Sequence, residues 1–128
     1  MSARARILHV EDDPSLQNLV RAALEHLGGH EVRSAADGQQ ALDAVRDFVP
    51  QLLLLDLDLP GISGIDTLRA LRRCEGLQDV PVIFLTAAAD PQVFDDLRLL
   101  GVQEVLRKPF RPRLLVEAIA RVLKEKES

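Results

Sequence analysis

Two spacings of apolar residues alternate along the chain. Short apolar runs at 7–10, 52–55, 80–85 and 102–106, with a weaker alternation at 31–35, have the length of strands. After each run, apolar residues recur every three or four positions, the stripe of a helix packed on one side. The first stripe is Leu16, Leu19, Val20, Ala23, Leu24 and Leu27, and the second is Ala41, Leu42, Val45 and Phe48. Ile65, Leu68 and Leu71 form the third, Val93, Phe94, Leu97 and Leu100 the fourth, and Leu115, Ala118, Ile119 and Val122 the last. Turn residues punctuate these segments. Asp13-Pro14 and Asp90-Pro91 read as N-cap and first-turn pairs, Asp37-Gly38 opens the second helix and Pro112 the fifth. Gly28-Gly29 and Gly101 stand where helices end, and Pro50 stops the second helix.

Strand followed by helix, five times over, predicts an α/β fold: a doubly wound, five-stranded parallel sheet with right-handed crossovers and helices on both faces. Leu52, Leu53, Leu54 and Leu55 suit a central strand buried on both sides, with Pro60-Gly61 turning the chain soon after. The less apolar segments 31–35 and 102–106 read as edges. One domain spans 5–124, and the charged residues 125–128 are a tail or the start of a linker; fraying is expected from Lys124 onward.

Parallel strands present their carboxyl ends on one edge, where open α/β sheets place their chemistry. The first strand delivers Glu11 and Asp12 there, the third Asp56 and then Asp58, the fourth Thr86 and the fifth Lys108. In the order 2-1-3-4-5 the first and third strands are neighbours, so Glu11, Asp12 and Asp56 come close together. Like charges at such range repel unless a cation joins them. Two carboxylates, a backbone carbonyl and retained waters suit octahedral Mg²⁺, while the absence of a nearby Cys or His excludes soft metals. Phosphoryl transfer needs an in-line nucleophile and positive charge around the transferred oxygens, and an Asp carboxylate can be that nucleophile. Asp56 has the central position, Thr86 can donate a hydroxyl and Lys108 a second positive charge. Helix caps, a strand end and loop solvation explain each residue singly, but not the set.

Composition narrows the partners. The 128 residues are 47% hydrophobic and carry a net charge of −4, which fits one ordinary core. No basic run points to direct nucleic-acid binding, and no apolar run approaches the ~20 residues of a membrane span. No signal peptide precedes the first strand, so the cytoplasm is the expected compartment. Cys74 is alone, and His9, His26 and His30 have no site-building spacing.

These residues make the chain resemble the receiver domain of two-component response regulators over nearly its whole length. The matching pieces are Val10-Glu11-Asp12-Asp13-Pro14, Leu55-Asp56-Leu57-Asp58-Leu59-Pro60-Gly61-Ile62-Ser63-Gly64, Leu85-Thr86-Ala87 and Lys108-Pro109-Phe110. The resemblance implies a flavodoxin-like, CheY-like fold and Asp56 as phosphoacceptor. It implies Mg²⁺, with Mn²⁺ as a substitute, at the acidic pair Glu11 and Asp12, at Asp56 and at the backbone carbonyl of Asp58. Thr86 matches the switch hydroxyl and Lys108 the phosphate-binding lysine, with a cis Lys108-Pro109 bond. The implied partners are a histidine kinase or phosphotransfer protein, a downstream output domain or protein, and a second copy through the fourth helix, fifth strand and fifth helix. The domain would signal, promoting only its own phosphotransfer and autodephosphorylation.

Three positions depart from or tune the family pattern. Val105 occupies the place of the switch aromatic, so the coupling to Thr86 must differ or weaken. Asp58 and Ala88 lie where the family sets its dephosphorylation rate. Two other functions remain open on the sequence. Asp56-Leu57-Asp58 satisfies the Asp-x-Asp signature of haloacid-dehalogenase phosphatases, although that motif normally ends the first strand. A receiver-like module independent of phosphate is the other. A flavodoxin proper is disfavoured, because its first loop cradles phosphate and this one is acidic.

Overall fold

The layering follows from the four leucines at 52–55. In the computed structural model, which describes residues 4–87 and 91–127, they lie in strand β3 (Leu52–Asp56), every residue of which is buried. Alternate side chains of a strand leave opposite faces. Leu53 and Leu55 enter one core with Ala41, Leu68, Leu71 and Leu97, while Leu52 and Leu54 enter another with Val20, Leu24, Leu115 and Ile119. Each buried leucine contributes about 1.5–3 kcal/mol of transfer free energy, so both faces of this strand hold helices in place.

The other strands are β1 (Arg6–Val10), β2 (Glu31–Ala35), β4 (Val82–Thr86) and β5 (Glu104–Arg107). All pairings are parallel and the order is β2-β1-β3-β4-β5, as the patterning predicts. The helices are α1 (Pro14–Ala22), extended by a π-helical turn at Ala23–Leu27, then α2 (Gly38–Ala44), α3 (Gly64–Arg72), α4 (Pro91–Leu99) and α5 (Pro112–Glu127). The Asp13 carboxylate caps α1 by accepting the Ser15 N–H at 2.9 Å, and Asp37 caps α2 through Gln40 at 2.8 Å. The Asp90 cap and Ala88 lie outside the described residues.

Some expectations shift. Leu19 and Leu27 are exposed, at 48% and 60%, while Val20, Ala23 and Leu24 carry the buried stripe. The π-helical turn, closed by Gly28 N–H to Ala23 O at 3.3 Å, resets the helical phase and turns Leu27 outward. The fourth strand begins at Val82, because Pro81 has no N–H to give the ladder; its carbonyl still accepts Leu53 N–H at 2.9 Å. The fifth begins at Glu104, because Val102 N–H turns back to Leu97 O at 3.3 Å and closes α4. The tail expected to fray continues α5, with Lys126 Nζ donating to Asp79 O at 2.8 Å.

His30 ties the α1–β2 connection to β1. Its buried ring accepts the Ala5 N–H on Nδ1 at 3.1 Å, and Glu31 N–H donates to Ala5 O at 2.9 Å. Burial lowers its pKa below the ordinary 6.5, so folding favours the neutral ring. The unfolded chain takes up the proton first, and the stability contributed by neutral His30 is present above pH 6.5 and lost as pH falls below it. His30→Gln keeps an acceptor that does not titrate. The melting temperature of the wild type should therefore drop more steeply than that of His30→Gln between about pH 7.5 and about pH 5.5. Parallel curves would show that His30 does not titrate against folding.

Candidate functional site

Four of the five strand ends deliver a piece of a compact acidic site. Glu11 follows β1 and is held by its N–H to Ala35 O at 2.9 Å; its carboxylate is buried. Asp56 is the last residue of β3 and is 3% exposed. Asp12 is exposed. One carboxylate oxygen from each of Glu11, Asp12 and Asp56 falls within 4.8 Å of the others. The set is made of hard oxygen donors converging on one point, which suits a small divalent cation kept partly hydrated. The residues therefore fit the metal that the sequence implies.

Lys108 crosses to this site from the exit of β5. Its Nζ lies 2.8 Å from Glu11 Oε1 and 3.2 Å from Asp56 Oδ2. Its own N–H is anchored on Thr86 O at 2.8 Å, and the Lys108–Pro109 peptide is cis, as the resemblance implies. Lys108 pairs with two of the three carboxylates, and among the described residues Asp12 is left without a cationic partner. Burial and then Asp56 push the Glu11 pKa up, against the Lys108 and Asp13 hydrogen bonds that pull it down. Burial alone would lower the Lys108 pKa, but Glu11 and Asp56 outweigh it and hold the ammonium charged.

The remaining residues frame Asp56. Asp58 is exposed and donates its N–H to Asp56 Oδ1 at 3.0 Å, so its carboxylate stands outside the acidic trio. Thr86 ends β4 fully buried, one residue beyond the Leu85–Asp56 pairing. Val105 is half-buried on β5 opposite Phe84 and packs into the core on the Thr86 side of the sheet. His9, on β1 just before the site, is buried with neither ring nitrogen bonded among the described residues. Burial, then Lys108 and Arg21, lowers its pKa to about 3 and keeps it neutral.

Two residues at the site have no role assigned by sequence reasoning. Gly64 begins α3, and a Cβ there would sit 2.4 Å from Asp56 O and 2.8 Å from Leu57 Cα. Only glycine lets α3 pass this close behind the central strand, a signal hidden within the Ser63-Gly64 helix start. Gln17, one turn into α1, donates its side-chain amide to Glu11 O. Beside Lys108, an apolar groove of about 520 Å³ opens between Leu16 and Leu19 of α1 and Pro109-Phe110.

Comparison with known proteins identifies the family and the fold. The family model of the response regulator receiver domain matches residues 7–120. The DNA-binding response regulator MtrA of Mycolicibacterium smegmatis is 42% identical over 125 residues, covering 97% of this chain and 53% of MtrA. The transcriptional regulatory protein CpxR of Escherichia coli is 43% identical over 120 residues, covering 93% of this chain and 49% of CpxR. The chain thus spans about half the length of these curated relatives. Chemotaxis protein CheY4 of Vibrio cholerae superposes with a TM-score of 0.87 at 29% identity, covering 94% of this chain and 99% of that one. The receiver domain of sensor histidine kinase PA1611 from Pseudomonas aeruginosa, solved with magnesium in its active-site cleft, gives 0.82 at 33% identity, covering 95% and 99%.

The close approach at Gly64 is testable. Gly64→Ala places a methyl group against backbone that cannot yield without moving α3 or β3. Denaturant unfolding should report a loss of about 1–3 kcal/mol. A loss under about 0.5 kcal/mol, the range of an ordinary surface change, would contradict the packing described.

Proposed function

The chain belongs to the response regulator receiver domain family, and we propose that Asp56 is its phosphoacceptor, taking a phosphoryl group from a phosphohistidine in a Mg²⁺-dependent reaction. The domain is a signalling module of two-component systems with a CheY-like fold. One observation carries the proposal: Asp56 ends the central strand with Glu11 and Asp12 at metal-sharing distance and Lys108 on its Oδ2.

Glu11, Asp12, Asp56 and the backbone carbonyl of Asp58 would hold the cation, and the magnesium found in the PA1611 receiver supports this choice. Mn²⁺ has the same preference for hard oxygen ligands and is the substitute. When bound, the metal supplies positive charge to the transferred phosphoryl oxygens. The Asp56 carboxylate, with Oδ1 tied by Asp58 N–H, attacks phosphorus in line; the P–O bond forms as the P–N bond to the donor imidazole breaks. Lys108 follows the charge from carboxylate to phosphoryl oxygen, and the Thr86 hydroxyl donates to another oxygen. Water later hydrolyses the acyl phosphate, with the exposed Asp58 beside its path.

The donor is a histidine kinase or phosphotransfer protein. Its docking place is the Leu16, Leu19 and Phe110 groove, which opens beside Lys108. The new phosphoryl charge draws Thr86 and Lys108 inward and biases α4, β5 and α5, the face we assign to output and to pairing with a second copy. Leu99 of α4 and Leu114 of α5 are 87% and 52% exposed there. With Val105 in place of an aromatic ring, the bias must pass through backbone and packing. A downstream output domain or protein, and a cytoplasmic location, complete the reading; among the described residues no helix is long and apolar enough to cross a membrane. The dehalogenase-type phosphatase is not favoured, since Asp58 offers Asp56 a backbone N–H while its own carboxylate faces solvent. A module independent of phosphate leaves the acidic trio and its lysine without a purpose.

Two donors and two variants test this reading. Asp56→Asn is nearly isosteric and should abolish labelling by both a small acyl-phosphate donor and a phosphorylated histidine phosphotransfer domain. Leu19→Glu should label normally with the small donor and at least about fivefold more slowly with the protein donor. Wild-type labelling of Asp56→Asn would assign the acceptor elsewhere. Equal slowing of Leu19→Glu with both donors would remove Leu19 from docking.

A further inference from the structure

The acidic loop between β1 and α1 is tied at every peptide. Glu11 N–H donates to Ala35 O at 2.9 Å, which fixes the peptide from Val10 to Glu11. Asp13 N–H donates to Glu11 Oε2 at 3.2 Å, which fixes the peptide from Asp12 to Asp13. Gln17 N–H donates to Asp13 O at 2.9 Å, which fixes the peptide from Asp13 to Pro14. The remaining peptide joins Glu11 to Asp12, the two acidic residues themselves. Its carbonyl is held by the side-chain amide of Gln17.

We infer that Gln17 is a positioning residue for the cation: its amide sets the angle between the Glu11 and Asp12 carboxylates. This rests on the metal reading of the acidic trio. Asp12 is exposed, so little packing fixes its carboxylate, and rotation about the peptide before it would carry that group away from Asp56. Gln17 is half-buried and holds the loop at two points, by backbone and by side chain. Mg²⁺ demands near-ideal octahedral geometry, whereas Ca²⁺ accepts a larger and more flexible oxygen shell. Loosening this peptide therefore costs Mg²⁺ more than Ca²⁺. General damage to the fold would weaken both alike.

The test is an NMR shift titration of the whole chain with MgCl₂ and with CaCl₂. Gln17→Met keeps length and helix propensity but removes the donor. Its Mg²⁺ affinity should fall about three- to tenfold, the scale of one lost hydrogen bond, with a smaller fall for Ca²⁺. Gln17→Asn keeps the amide but is one methylene too short, and should reproduce the loss if Gln17→Met does not fold. Arg21→Met removes a different side-chain bond of α1, Nη2 to Ser34 Oγ at 3.0 Å, and should leave both affinities within about twofold. Asp12→Asn tests the site itself. If it weakens Mg²⁺ while the Gln17 variants stay at wild type, or lose Mg²⁺ and Ca²⁺ equally, the role of Gln17 is overturned. If Asp12→Asn leaves Mg²⁺ binding unchanged, the metal reading fails first, and the Gln17 assignment with it.

Discussion

Lys108 binds Glu11 at 2.8 Å across 97 residues of sequence and also reaches Asp56 at 3.2 Å. This three-way ionic contact is where every part of the fold meets. Two carboxylates this buried are tolerated only with a positive partner, and breaking such a partnership is strongly destabilising. Bringing the partner from the last strand exit requires the whole parallel sheet to be in register, with β1 beside β3 and β5 at the far edge. The contact is also incomplete, since Asp12 has its carboxylate within reach of the other two and, among the described residues, Lys108 is the only ammonium paired with them. A site with spare negative charge and an exposed mouth is one that a cation can enter and a phosphoryl group can rearrange.

Most of this was legible in the sequence, because the relevant signals are local. Four leucines followed by Asp56 specify a doubly buried strand with a carboxylate at its exit, and the structure has both. The residues Glu11, Asp12, Thr86 and Lys108 each close an apolar run, so strand order alone brought them to one edge. The misplaced details depend on what a pattern does not contain. Leu27 keeps helical spacing, yet one π-helical turn rotates it into solvent. Val80 and Pro81 continue an apolar run, but Pro81 cannot donate to the ladder. The charged end of the chain offers no apolar reason to stay helical, and Lys126 anchors it on Asp79 all the same.

Gln17 and Gly64 were illegible for a different reason. A glutamine on a helix, or a glycine at its start, has many ordinary uses, and nothing in the spacing tells which backbone atom it will meet. Their neighbours are Glu11 O and Asp56 O, main-chain atoms of the very residues that define the site. Motif residues supply the chemistry, while the backbone that aims them is held by residues with no motif. Val105 shows the complementary case. Its identity is obvious in the sequence, but the way the proposed phosphoryl signal would cross from Thr86 to the α4–β5–α5 face without a ring depends on packing around it.

The proposed function comes down to one covalent event at one carboxylate. Borohydride reduces an acyl phosphate to an alcohol, converting a phosphorylated aspartate into homoserine that survives digestion. Phosphorylating the chain in Mg²⁺, trapping it with borohydride and mapping the product by peptide mass spectrometry reads the acceptor directly. The expected result is homoserine at position 56 alone, dependent on the divalent cation. Homoserine at 12 or 58, or conversion at 56 that is indifferent to the metal, would contradict the account.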